Sequence, residues 1–153
     1  MHHPSTVWMN VVILFSLHLG ALYALTLIKE TSTAVRVLAA ALWPCTGLGI
    51  TAGAHRLWAH RSYRATRPLQ ILLMLLNSMA AQGSLWDWAR DHRVHHKGND
   101  TDADPYTIRK GVFFAHIGWI CQRKHPEVLR LGRQLPVRDL QEDPVVQFQR
   151  RYY

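Results

Sequence analysis

The chain has 153 residues, 48% of them hydrophobic, a formal charge of +8 and a mean hydropathy of −0.09. That length suits one domain, and a near-zero mean beside so much apolar content requires apolar and charged residues to be segregated along the chain. The charge alone would suit a nucleic-acid binder, but long uncharged runs and the lack of an aromatic-basic RNA motif argue against that class.

The segregation is plain. Before His55 the only charged side chains are Lys29, Glu30 and Arg36. An apolar first third followed by a basic, polar remainder is the pattern of a membrane anchor feeding a water-exposed body. Cys45 and Cys121 are far apart, each in an apolar run, so they read as small buried hydrophobes rather than as a disulfide or metal pair.

The first uncharged run, 7–28, is long enough to cross a bilayer, which takes about 20 residues. It lacks the basic start and small-residue cleavage site of a signal peptide. After the short polar link Lys29–Thr33, a second uncharged run covers 37–54 and contains Pro44, Gly47, Gly49 and Gly53. The short link predicts an antiparallel helical hairpin. Arg56, Arg61, Arg64 and Arg67 follow at once, which puts that end, and hence the N-terminus, in the cytosol. A third apolar stretch, 69–85, is interrupted by polar residues and predicts a helix on the membrane surface or against the hairpin. Residues 86–97 read as a helix, 99–105 as an Asp-rich loop, and 111–121 as a short apolar helix broken by His125-Pro126. The tail to Tyr153 is polar with basic pairs.

Ten histidines are many for this length. His92, His95 and His96 stand at i, i+3 and i+4, which share one face of a helix. His55 and His60 are five apart, and five steps of about 100° leave two side chains on different faces of an ideal helix. They converge only if the helix unwinds there, or else they serve two metals. Neutral imidazole is a common ligand for iron, zinc and copper, and five such groups without cysteine exceed one tetrahedral zinc site. Asp87, Asp91, Asp100, Asp102 and Asp104 are available to hold the outer ring nitrogens. The isolated His2, His3, His18, His116 and His125 read as surface or satisfied groups.

His55-Arg56-Leu57-Trp58-Ala59-His60-Arg61-Ser62-Tyr63 resembles the first histidine box of the acyl-CoA delta-9 desaturases, the stearoyl-CoA desaturase family. Trp88-Ala89-Arg90-Asp91-His92-Arg93-Val94-His95-His96-Lys97 resembles the second, and Thr101-Asp102-Ala103-Asp104-Pro105 continues it. His116-Ile117-Gly118-Trp119, Arg123-Lys124-His125-Pro126 and Phe148–Tyr153 are similar to later segments. Gly98, where the family usually has an aromatic residue, and Asn99-Asp100 depart from the pattern.

The resemblance implies an all-α integral membrane fold. In it, a two-helix transmembrane hairpin (7–28 and 37–54) is followed by a cytosolic helical histidine-box region (55–153), together a partial fatty acid desaturase domain. It implies two iron ions held in part by His55, His60, His92, His95 and His96, with a third His-x-x-His-His box, expected in the family, not present in these residues. It implies an endoplasmic reticulum enzyme that uses O2 and electrons from cytochrome b5 to place a cis double bond in a saturated fatty acyl-CoA. Arg90, Asp91, Arg123 and Lys124 match its acyl-CoA contacts, the acyl chain being expected to run among residues 69–88. Arg123-Lys124 would also suit a basic pair meeting anionic lipid. The rival reading for so short a chain is a non-catalytic membrane protein, or a partner of a full-length desaturase.

Overall fold

The structure, a computed structural model, describes residues 5–153. His2 and His3 lie outside the described residues. Among those described, every extended element is a helix: α1 (Trp8–Thr26), α2 (Thr33–Leu48), α3 (Arg67–Met79), α4 (Leu85–Gly98), α5 (Val112–His116), α6 (Pro126–Gln134), α7 (Arg138–Glu142) and α8 (Pro144–Tyr152). Two 3-10 turns, Ile108–Lys110 and Gly118–Cys121, flank α5. A π-helical segment, Gly49–Ala59, continues α2 without a break.

Two helices are long and apolar enough to cross a membrane, α1 and the continuous Thr33–Ala59, with mean hydropathies of 1.7 and 1.5. Their bounds differ from expectation. The first ends at Thr26, because residues 27–30 form a turn, and Thr26 Oγ1 donates back to the Tyr23 carbonyl at 2.7 Å. The second starts earlier, where Ser32 caps its N-terminus by accepting from Val35 N–H, and runs on to Ala59. His55 and Arg56 therefore lie inside the helix rather than beyond it.

The expected hairpin is a connection and not a packed pair. No residue of α1 is buried, and its main packing is on the 3-10 turn Gly118–Cys121 rather than along α2. Its start is pinned there by two backbone bonds and one side-chain bond. Val7 N–H donates to the Cys121 carbonyl (2.8 Å), Arg123 N–H donates to the Ser5 carbonyl (3.0 Å), and Asn10 Nδ2 donates to the Ile120 carbonyl (2.7 Å). Both cysteines are free and half-buried, so they are less enclosed than expected.

The core forms between the π-segment, α3, α4 and the α7–α8 pair, around Leu57, Trp58, Leu73, Met74, Leu85, Trp86, Leu140 and Val146. α3 lies against the π-segment and α2. Gly49 makes this closeness possible, since a Cβ there would stand 2.3 Å from the Asn77 backbone nitrogen. Leu73, Met74 and Asn77 of α3 are buried, while Ile71, Leu72, Leu75 and Met79 stay exposed, an amphipathic division that gives the third apolar stretch an inner and an outer face. That stretch does not run to Leu85. It ends at Met79 and turns through Ala81 (φ 53°) and Gly83 (φ 89°). Ser84 then caps α4, accepting from Asp87 N–H at 3.1 Å, a cap of about 1 kcal/mol.

α8 ties the two sides of this turn. Buried Gln149 accepts from Leu85 N–H (2.6 Å) and donates to Asn77 Oδ1 and Ser78 Oγ (both 2.9 Å). Residues 111–121 form α5 and a 3-10 turn rather than one helix, and His125-Pro126 starts α6 rather than only ending a helix, with His125 Nδ1 accepting from Glu127 N–H.

Candidate metal centre

Two elements carry the imidazoles. The π-segment is closed by i→i+5 bonds, the last from His60 N–H to the His55 carbonyl at 2.9 Å. That wider winding places residues five apart on the same side. The backbone thus resolves the spacing problem by opening the helix. α4, ordinarily wound, presents His92 and His96 one turn apart.

The four rings meet. His60 Nε2 lies 3.0 Å from His55 Nε2 and 3.0 Å from His92 Nε2, and His96 Nε2 lies 3.0 Å from His92 Nε2. The four ligand atoms fall within 4.8 Å of one another. Nitrogens at right angles on one metal, each about 2.1 Å from it, would stand about 3.0 Å apart, so the donor set suits a metal ion in spacing and in chemistry. His55 and His92 are half-buried and His60 and His96 exposed, so the cluster is open on one side.

His95 is not in the group of four. Its Nδ1 lies 2.8 Å from Asp104 Oδ1, and its ring packs on Tyr106 with centroids 4.4 Å apart. Of the five aspartates considered as ring partners, only Asp104 takes that role, and it is buried. Asp87 bonds Ser84 and Arg90, Asp91 bonds Arg90 and Lys124, and Asp100 bonds Thr107. Tyr106 is the partner that the sequence did not announce. Its hydroxyl lies 3.0 Å from His92 Nδ1.

Burial first, then the positive charge of His55, His96, His60 and His95, holds His92 down to about 3. Burial, His55, His96 and Arg93 lower His60 as well. Both favour the neutral ring, which is the form that binds a metal. Tyr106 is raised by burial and by Asp104 and Asp91, so it stays a neutral phenol able to serve as a hydrogen-bond partner.

Beside the cluster lies a cleft of about 560 Å³. Trp88, stacked on His92 at 5.0 Å, lines it with Gln82, Tyr106 and Trp119, and Asp91 and Lys124 stand on its wall. Of the stretch 69–88 expected to line a channel, the cleft takes Gln82, Asp87 and Trp88. Its other walls come from Asn10, from Asp91 and His92, and from residues after 105. Arg90, Asp91 and Lys124 form one group, with Arg90 Nη2 2.9 Å from Asp91 Oδ1 and Lys124 bonded to the other carboxylate oxygen. Arg123 is exposed and stands outside that group. His18 and His125 bond backbone groups away from the cluster, and His116 ends α5.

The family model of fatty acid desaturases matches residues 31–151. The chain belongs to that family. It is 54% identical over 149 residues to Stearoyl-CoA desaturase 5 of Homo sapiens, covering 97% of this chain and 45% of that protein. The Bos taurus protein of the same name is 53% identical over 152 residues, 99% of this chain and 45% of its own length. Acyl-CoA Delta-9 desaturase of Acheta domesticus is 49% identical over 153 residues, 99% of this chain and 43% of its own. The chain thus spans less than half the length of these family members. Both histidine clusters and the Arg90–Asp91–Lys124 group lie within the matched residues.

Proposed function

We propose that this chain carries the metal-binding boxes and the acyl-CoA face of a membrane desaturase that places a cis double bond in a saturated fatty acyl-CoA. The observation that carries the reading is the convergence of His55, His60, His92 and His96 at 3.0 Å spacings beside the cleft. Supporting it are relatives about half identical whose names say stearoyl-CoA or acyl-CoA Delta-9 desaturase.

Iron bound by these imidazoles would supply the O2-dependent removal of two hydrogens from an unactivated acyl chain. The chain's own residues do the rest. His55, His60, His92 and His96 would hold the metal, with His95 as a further ligand. Tyr106 and Asp104 fix the ring orientations of His92 and His95. Arg90 and Lys124, spaced by Asp91, receive the phosphates of the CoA group, with Arg123 as an outer contact. The acyl chain enters the cleft along Trp88, whose indole covers His92 and keeps water from it.

α1 and the apolar part of Thr33–Ala59 cross the bilayer of the endoplasmic reticulum, with the histidine-bearing end of that helix and α4 on the cytosolic face. That basic face suits an acidic electron donor of the cytochrome b5 kind. Ligands from outside these residues would complete a two-iron set on the open side of the cluster.

The test is iron per chain in detergent-purified protein, beside a His92→Ala, His95→Ala, His96→Ala triple variant. The same measurement on a chain extended through its natural downstream sequence, if there is one, would go with it. Iron bound by the parent and lost in the variant supports the reading, and about two irons in the extended form completes it. Zinc alone, or no metal in any form, overturns it.

A further inference from the structure

One side chain joins the two histidine-bearing elements. Arg93 lies between His92 and His95 on α4, and its side chain is only 11% exposed. Its guanidinium donates from Nη2 to the Trp58 carbonyl (2.7 Å) and from Nε to the Ala59 carbonyl (3.2 Å). These are the last two carbonyls of the π-segment, groups that a helix end leaves without partners of its own, and the next residue is His60. Nη1 donates to the Pro136 carbonyl (2.9 Å), and Nη1 and Nη2 both donate to the Asp139 carboxylate at the start of α7. Five donors are thus all in use, the full capacity of an arginine.

We infer that Arg93 is a positioning residue: it clamps α4 onto the end of the π-segment and so sets the distance between the two histidine clusters, while Asp139 orients the clamp. The inference rests on the metal reading above for its consequence, but the clamp itself is a contact between two helices and is testable without metal. His60 is where the two clusters touch, and it is the first residue past the clamped carbonyls. Without the fork, the end of the π-segment is free to rewind. His60 then leaves His92, although no ligand has been changed. Lysine cannot substitute, since three donors on a flexible stem do not reproduce a planar fork.

The experiment uses the whole chain in detergent, with two readouts on the same variants. The first is backbone hydrogen exchange in apo protein at His60 and Ser62, whose amides bond the His55 and Arg56 carbonyls, against Leu73 and Met74 in the neighbouring helix. The second is titration with cobalt(II) alone, reading affinity and the ligand-field spectrum.

Arg93→Gln and Arg93→Lys are expected to speed exchange at His60 and Ser62 about tenfold or more while leaving Leu73 and Met74 unchanged. They are expected to weaken cobalt binding about 10–100-fold with an altered spectrum. Asp139→Asn gives a smaller effect of the same kind, and Asp139→Glu returns toward the parent. Arg130→Gln, an exposed arginine in a separate ion pair, controls for lost charge and stays at the parent value.

Exchange that is unchanged at His60 and Ser62, or that rises equally in α3, overturns the clamp. Unchanged cobalt affinity and spectrum in Arg93→Gln does the same. If the parent binds no cobalt, or His60→Ala binds it as well as the parent, the metal reading fails, and the exchange readout still decides the clamp.

Discussion

At His92 both ring nitrogens are engaged, Nε2 toward the other imidazoles and Nδ1 toward the Tyr106 hydroxyl. Removing the hydroxyl leaves the imidazole in place but frees the ring to turn. Tyr106→Phe is therefore expected to weaken metal binding about tenfold, at the lower end of such outer contacts, with unchanged stoichiometry in a metal titration. The Asp139 carboxyl gives a pH signature. Burial would raise it, but the hydrogen bonds and charge of Arg93, with Arg61 beyond, outweigh burial and hold it below the usual carboxylate range. A carboxyl depressed on folding adds stability that is complete above its unfolded value of about 3.9 and is lost as pH falls through the folded value. Unfolding measured from pH 7 to pH 3 should show Asp139→Asn less stable than the parent at neutral pH and converging on it below about pH 4. Parallel curves would show that the pair contributes nothing. Tyr106 and the Asp139–Arg93 pair were not legible in the sequence, because each joins residues of different elements and no spacing rule reaches across a fold.

The helical elements were legible in proportion to how local their causes are. The i, i+3, i+4 histidines of α4 declare their own geometry, and the structure brings His92 and His96 together as that spacing predicts. The His55–His60 spacing could only be stated as a conflict with ideal winding. The resolution, a π-segment, is held from outside by α3 and by Arg93. Apolar runs announced the first two helices, but their ends were set by caps and by the turn after Thr26, which hydropathy does not encode. Gly49 shows the dependence on a neighbour. With a Cβ 2.3 Å from the Asn77 nitrogen, α3 would have to move away. Gly49→Ala is expected to destabilise the chain by about 1–3 kcal/mol or more, with loss of metal affinity as the π-segment shifts. Gly47→Ala, which meets open space within α2, should not lower thermal unfolding in detergent and should raise it slightly.

Over the whole molecule, burial is uneven. α1 exposes Phe15, Leu17, Leu22 and Leu25 around its circumference, whereas the histidine-bearing body has a closed core. An apolar surface of that extent needs lipid or protein against it. With arginines crowding the end of the second span, the link at Lys29–Thr33 is expected on the lumenal side and the loop at 99–105 in the cytosol. That loop contains Asn99-Asp100-Thr101, a glycosylation acceptor sequence that acts as a built-in reporter. In microsomes Asn99 should stay unmodified, while an acceptor placed on a spacer in the link should gain a glycan. The reverse pattern would invert the topology.

The pinning of α1 carries a consequence for assembly. Asn10 and Ile120 are 110 residues apart in the chain, whereas the contact between His60 and His92 spans 32. Closing the longer loop has the greater entropic cost and needs residues that emerge from the ribosome later. The two histidine clusters can therefore make their first contact while the cleft still lacks a wall, before the residues that hold Arg93 in place have been made. The wall closes only after residue 123 has been made and can return to the start of α1. First contact between the histidine clusters would precede closure of the cleft, and the Arg93–Asp139 contact would fix that geometry only once residue 139 has been made.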